Sequence, residues 1–132
     1  MSEPNKPLVG KTALVTGASS GIGWAVAIAL AKQGSNLVVT ARREERLRQL
    51  CKEVESLGVK GVHHAGDAAE DATAQRAVAL ALSTFGHLDI VINNAGIGNY
   101  KNLVDTSVEE YDALMDANMK SSFLFSRHAV PR

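Results

Sequence analysis

Short apolar runs alternate along this chain with longer stretches whose apolar residues recur every three or four positions. Thr12 to Thr16 (TALVT), Leu37 to Thr40 (LVVT), Val59 to Ala65 (VKGVHHA) and Leu88 to Asn93 (LDIVIN) are the strand-like runs. Between them, residues 20–33 place Ile22, Val26, Ala29 and Leu30 at helical spacing, and Gly34 closes that segment. Residues 44–57 bring Leu47, Leu50, Val54 and Leu57 to one face, with Glu44 four before Arg48 as a supporting pair and Gly58 as the stop. Ala69 to Phe85 is an alanine-rich helix ending at Gly86. Thr106-x-x-Glu109 and Ser107-x-x-Glu110 are two possible capping boxes for a last helix running towards Pro131.

Strands that alternate with helices predict an α/β fold, a parallel sheet covered on both faces. Right-handed crossovers make a doubly wound Rossmann-type sheet with strand order 3-2-1-4 the natural arrangement. No repeat, linker or low-complexity tract interrupts it.

Composition narrows the class. At 132 residues, 45% hydrophobic and 21% charged, the chain suits one soluble globular domain. Fourteen basic and fourteen acidic side chains cancel, so bulk charge points to neither nucleic acid nor an anionic membrane. The N-terminal MSEPNKPLVGK lacks a signal-peptide core, no apolar run reaches spanning length, and a cytoplasmic location is the expectation. Cys51 is the single cysteine, which leaves no internal disulfide and no cysteine-based metal cluster; no metal is expected.

The chemistry-bearing stretch is TGASSGIG, residues 16–23, where the first strand meets the first helix. Backbone N–H groups at a helix start lack helical partners, and the helix dipole puts partial positive charge there. Glycines let the chain turn sharply and let a pyrophosphate approach the backbone, while Gly23 permits close helix–strand packing. Ser19 and Ser20 add hydroxyl donors. The spacing is G-x-x-x-G-x-G, so a plain tight turn is the alternative reading; its position after the first strand favours phosphate binding.

TGASSGIG resembles the TGxxxGxG signature of the short-chain dehydrogenase/reductase family, classical type. LDIVINNAG at 88–96 is similar to that family's second signature, Asp67 stands where its adenine-contacting Asp follows the third strand, and Asn118 in DANMKS matches its helix Asn. The match runs from about residue 8 to the end. It implies a cofactor site of Gly17, Ser19, Ser20, Gly21, Ile22, Gly23, Arg42, Arg43, Asp67, Ala68, Asn94, Ala95 and Gly96. Asp67 would accept from the adenine amine, or otherwise cap the third helix. Asn94, Ala95 and Gly96 would both brace the sheet and line the site.

The end of the second strand bears on which dinucleotide is bound. Ala41 stands where an NAD-type acid would, and Arg42 and Arg43 follow. An arginine fork suits a 2′-phosphate, and two cations at a helix N-terminus are unfavourable without an anion. NADP is the expected cofactor and NAD the alternative, because Ser20 replaces a second basic residue common in NADP-using relatives and Glu44 or Glu45 can reach a ribose hydroxyl.

The resemblance implies reduction of a carbonyl by hydride, with a proton from a Tyr-x-x-x-Lys tyrosine, a serine on the substrate oxygen and Asn118 in the proton relay. The two tyrosines, Tyr100 and Tyr111, are followed four residues on by Val104 and Met115, and Ser121, Ser122 and Ser126 lie in the helix after Asn118. The chain is therefore expected to be a single incomplete cofactor-binding domain, inactive alone and marginally stable or aggregating, its fourth strand an open apolar edge. The implied substrates are alcohols, ketones or 3-oxoacyl compounds, and the implied assembly a homo-oligomer using the last helix. The competing readings are a non-catalytic dinucleotide-binding fragment and an interaction module that pairs through that helix.

Other residues are expected to be structural. Cys51 sits on the second helix's apolar stripe. His63 and His64 are adjacent in a strand and point to opposite faces. Trp24 is expected to pack, with contact to the cofactor side as the alternative. Tyr111 is expected on the apolar side of the last helix, Tyr100 in a loop near the pocket rim. RREERLR is expected to be a solvated face beyond its first two residues.

Overall fold

The computed structural model describes residues 6–19, 21–94, 107–109, 112 and 119–130. The elements are β1 (Thr12–Thr16), α1 (Gly21–Lys32), β2 (Asn36–Ala41), α2 (Glu44–Ser56), β3 (Gly61–Ala65), α3 (Asp71–Phe85), β4 (Ile90–Ile92) and α4 (Ser121–Ala129). All pairings are parallel, in the predicted order β3-β2-β1-β4.

Alternation along each strand divides the core. Ala13, Val15, Leu37, Val39 and Ala41 face α1 and α2, where Leu47, Leu50, Cys51 and Val54 close the layer. Leu14 and Val38 face the other way, against Ala74, Ala77, Val78 and Ala81 of α3 and Leu124, Phe125 and Ala129 of α4. β1 is buried at every position, as expected of a strand covered on both sides.

Of the stripe expected on α2, Leu47, Leu50 and Val54 are buried, joined by Cys51, while Leu57 is the half-buried C-cap residue beyond the helix; Glu44 pairs with Arg48 at 3.5 Å. α1 differs from expectation. Its buried residues are Gly23, Ala27 and Ala31, whereas Ile22 is 74% exposed and Ala29 is also exposed. The small residues at i, i+4 and i+8 bring the helix backbone close to the sheet, and Trp24 and Ile28 pack at its margin.

Three boundaries shift for identifiable reasons. β3 begins at Gly61, because Lys60 N–H donates to the Asn36 side-chain oxygen at 3.0 Å before the ladder starts. α3 begins at Asp71 because Asp67 Oδ1 captures the Ala69 N–H at 2.9 Å, forming a turn ahead of the helix. Glu70, not Asp67, is the N-cap residue, so the capping alternative for Asp67 is replaced by this turn. β4 is trimmed to Ile90–Ile92; Asn93 directs its amide to Ser126 Oγ of α4 at 3.4 Å.

His63 Nε2 lies 3.5 Å from Glu44 of α2, while His64 is influenced by Arg76 of α3, so the two rings do face opposite sides. Burial, then Arg76 and His63, holds the His64 pKa below its ordinary value. Cys51 is buried, and burial followed by the Glu55 carboxylate pushes its thiol up to about 11, which fits the core role. α4 is tied to α3 by His128 Nε2 and Asp71 Oδ1 at 2.8 Å. Among the described residues no helix is long and apolar enough to cross a membrane.

Candidate functional site

β1 delivers the chain at its carboxyl end into a turn that needs glycine for two different reasons. Gly17 and Gly21 have φ of +63° and +60°, the left-handed region that side chains with a Cβ avoid. Gly23 is needed for space: a Cβ there would lie 2.6 Å from Asn94 Nδ2 and would run into the Gly17 carbonyl. The expectation that Gly23 lets helix and strand pack closely is thus met by a specific contact.

Asn94 closes the turn from β4. Its backbone N–H donates to Thr16 Oγ1 at 2.9 Å, and Nδ2 donates to the Gly17 carbonyl at 3.3 Å. Thr16 Oγ1 in turn donates to the Ile92 carbonyl at 3.4 Å. Ala18 N–H donates to the Thr40 carbonyl at 3.3 Å, which ties the turn to the end of β2. Ser19 is buried within the turn, and α1 opens at Gly21, where the first-turn N–H groups have no helical partners. The exposed Ile22 gives this otherwise polar rim one apolar side chain.

The second part of the site lies at the ends of β2 and β3, which Ala41 and Ala65 bring into register. Arg42 and Asp67 project beyond them and meet at 3.5 Å between Arg42 Nη2 and Asp67 Oδ2. The pair is exposed, 73% for Arg42 and 38% for Asp67, so it holds its partners weakly and a ligand can replace either one. Ala68, next in sequence to Asp67, is half-buried and packs against the core layer beneath α3 and α4. Arg43 is the N-cap residue of α2, with extended backbone and its carbonyl accepting from Leu47 N–H at 3.2 Å. Glu44 is engaged by Arg48 and His63, each at 3.5 Å.

Sequence reasoning missed Arg46. In place of a solvated charge, its guanidinium lies over Trp24, 4.5 Å from the ring centroid, and Nε donates to the Ser19 carbonyl at 3.1 Å. Nothing in the pattern RREERLR distinguishes this arginine from its neighbours; the only available signal is a position one helical turn beyond Arg42, facing the start of α1.

The structure therefore gathers Gly17, Ser19, Gly21, Ile22 and Gly23 with Asn94 at the β1–α1 turn, and Arg42 with Asp67 and Ala68 at the neighbouring corner. Ser20, Ala95, Gly96, Asn118, Tyr100 and Tyr111 lie outside the described residues. The glycine turn fits the phosphate-binding half of a dinucleotide site, because Gly21 is exposed, with nothing within 4 Å of where its Cβ would stand, at the start of α1 where N–H groups lack helical partners. Among the described residues no cluster of three or more His, Cys, Asp or Glu side chains could hold a metal.

Known proteins share this arrangement. The short-chain dehydrogenase family profile matches residues 11–132. An uncharacterised oxidoreductase of Thermotoga maritima is 40% identical over 121 residues, covering 92% of this chain and 47% of that protein. An L-rhamnose 1-dehydrogenase (NAD(P)(+)) of Sphingomonas is 37% identical, covering 95% of this chain and 50% of the relative. The crystal structure of L-sorbose reductase from Gluconobacter frateurii, complexed with NADPH and L-sorbose, superposes with a TM-score of 0.89 at 32% identity over 96% of this chain and 49% of that one. The chain spans about half the length of the curated relatives it matches. By its profile, its strand order and its glycine turn braced by Asn94, the chain belongs to the short-chain dehydrogenase family.

Proposed function

We propose that this chain is the dinucleotide-binding half of a short-chain oxidoreductase and that its dinucleotide is NADP(H). The observation that carries the reading is Arg42 beside Asp67 at 3.5 Å, one strand away from the glycine turn. In this reading the turn and the start of α1 seat the pyrophosphate, with Ile22 covering one side. Asp67 and Ala68 receive the adenine, and Arg42, supported by Arg43, receives the 2′-phosphate. The residue before Arg42 is the buried Ala41, so no carboxylate stands there to accept from a 2′-hydroxyl. Glu44, already engaged by Arg48 and His63, competes poorly for that role. The NADPH complex of L-sorbose reductase lends support by analogy of fold.

The dinucleotide would supply the hydride exchanged with an alcohol or carbonyl carbon. This chain's share is binding and orientation, with Asn94 bracing the turn that seats the pyrophosphate, Ala95 and Gly96 lining the site, and Asn118 in the proton relay. Transfer of hydride to a carbonyl carbon also needs a proton at its oxygen. Neither Tyr100 nor Tyr111 has a lysine four residues on, so we assign that proton to residues of the whole enzyme outside these 132. Alcohols, ketones and 3-oxoacyl compounds are the substrate classes proposed. Exposed Met119, Phe123 and Val130 on and around α4 support a homo-oligomer of the whole protein.

Titration of the chain with NADPH and NADH tests the assignment. Arg42→Asp should weaken NADPH by about 30-fold or more, as expected when the charge facing a phosphate is reversed, and NADH by less than about threefold. Equal loss of both would refute the 2′-phosphate reading.

A further inference from the structure

One side chain joins the glycine turn to α2. Arg46 is held by groups from three places: the Ser19 carbonyl of the turn at 3.1 Å, the Trp24 ring of α1 at 4.5 Å, and the Gln49 side-chain oxygen of its own helix at 3.3 Å. An arginine on a solvated helix face samples many rotamers. This one is directed back from α2 to the Ser19 carbonyl, and the adjacent Ala18 is tied by its N–H to the Thr40 carbonyl at 3.3 Å, near the end of β2 that precedes Arg42.

Charge around this point is unevenly compensated. Arg42 shares its charge with Asp67, and Glu44 is taken up by Arg48 and His63. The partners of Arg46 are a carbonyl, a carboxamide and an aromatic ring, all neutral, and among the described residues no carboxylate pairs with it. Position 20 is serine, so the turn brings no cation of its own. A guanidinium pinned by neutral groups next to a proposed phosphate pocket keeps its full field for an anion there.

We propose that Arg46, clamped between Trp24 and the Ser19 carbonyl, supplies a further positive charge to the 2′-phosphate pocket, beyond those of Arg42 and Arg43. The cation that the turn lacks in sequence arrives in space from α2. Arg46 is thereby a specificity-determining residue: a 2′-phosphorylated adenosine gains from its charge and a 2′-hydroxyl gains little. Trp24 acts as a positioning residue, holding the guanidinium plane. The inference rests on the NADP reading above.

The test is calorimetric titration of the full 132-residue chain with 2′,5′-ADP and with 5′-AMP, across a salt series. Arg46→Met keeps an unbranched side chain over Trp24 and removes the charge. It should weaken 2′,5′-ADP about tenfold, leave 5′-AMP within about twofold, and flatten the salt dependence of 2′,5′-ADP binding. Arg46→Lys, which preserves charge and folding, should restore most of the preference. Equal weakening of both ligands, no change in either, or failure of lysine to rescue would each overturn the proposal. Arg42→Asp, run alongside, separates the two levels. If it abolishes the preference while Arg46→Met does not, this inference alone falls; if the unsubstituted chain binds both ligands alike, the NADP reading falls and takes this one with it.

Discussion

At its carboxyl end, β1 is joined to β4 by neutral groups: Asn94 donates its backbone N–H to Thr16 Oγ1 and its amide to the Gly17 carbonyl. At its amino end the same two strands are joined through a carboxylate. Asp89 Oδ2 accepts from Thr12 N–H at 2.9 Å and contacts His87 Nδ1 at 2.6 Å, while Asp89 N–H donates to the Thr12 carbonyl at 2.9 Å. Both ties fix the register of a short parallel pair. They differ in charge, and the difference follows from what each end must face. In the proposed site a carboxylate beside the glycine turn would repel the pyrophosphate, and the tie there is an amide. At the opposite end His87 and Asp89 are exposed, and a charged acceptor there makes the stronger hydrogen bond.

Three substitutions break or sharpen that contrast. The largest effect is expected from Gly23→Ala, because its methyl group would collide with both members of the neutral tie. Overpacking of this kind costs roughly 1–3 kcal/mol, and NADPH and NADH binding should be lost together. A thermal melt with parallel titrations checks this; retained binding would show that the turn can open without Asn94. Asn94→Asp is smaller and more pointed. It keeps the shape, removes the donor to Gly17 and sets a carboxylate oxygen against a carbonyl, for a loss of about 1–3 kcal/mol. Both dinucleotides should weaken about tenfold, because the added charge faces the shared pyrophosphate. Weakening of NADPH alone would place Asn94 at the wrong part of the ligand.

The smallest effect belongs to the amino end. The Thr12 N–H, followed by His87, holds the Asp89 carboxyl below its ordinary value of 3.8. Between the lowered native value and the ordinary one, the unfolded chain binds more protons than the folded chain. The stability Asp89 contributes is therefore complete above the ordinary value and is lost as pH falls through the native one. Asp89→Asn should flatten this acid dependence in urea midpoints measured from pH 7 downwards and leave dinucleotide titrations unchanged. An unaltered acid profile would mean that another carboxylate, such as Asp71 with His128, dominates it.

What could be read from the residues, and what could not, divides along physical lines. Strand order and the α2 face were legible because β-branched runs and the Leu47, Leu50, Val54 stripe stand out against polar surroundings. The buried face of α1 was not, because that helix is apolar on most sides. Periodicity has no contrast in such a segment, and proximity to the sheet selected the smallest residues, Gly23, Ala27 and Ala31, over Ile22 and Ala29. The glycine turn was legible as a local motif, but the reason Gly23 must be glycine lies in Asn94, beyond the five intervening elements β2 to β4. Arg46 was invisible for the same reason: its meaning comes from Trp24 and Ser19, which no local spacing connects to it.

The bond between Asn94 and Gly17 joins positions 77 residues apart. Synthesis proceeds from the N-terminus, so the turn is made before β4, and its carbonyl lacks the Asn94 amide until that residue has been made and β4 has docked. Closing a loop of that span is slow relative to forming α1 or α2 alone. The turn proposed to seat the phosphate thus waits on the docking of β4, although it is translated before that strand. A ligand that binds only the finished turn acts on the final docking step, drawing the sheet towards closure by mass action.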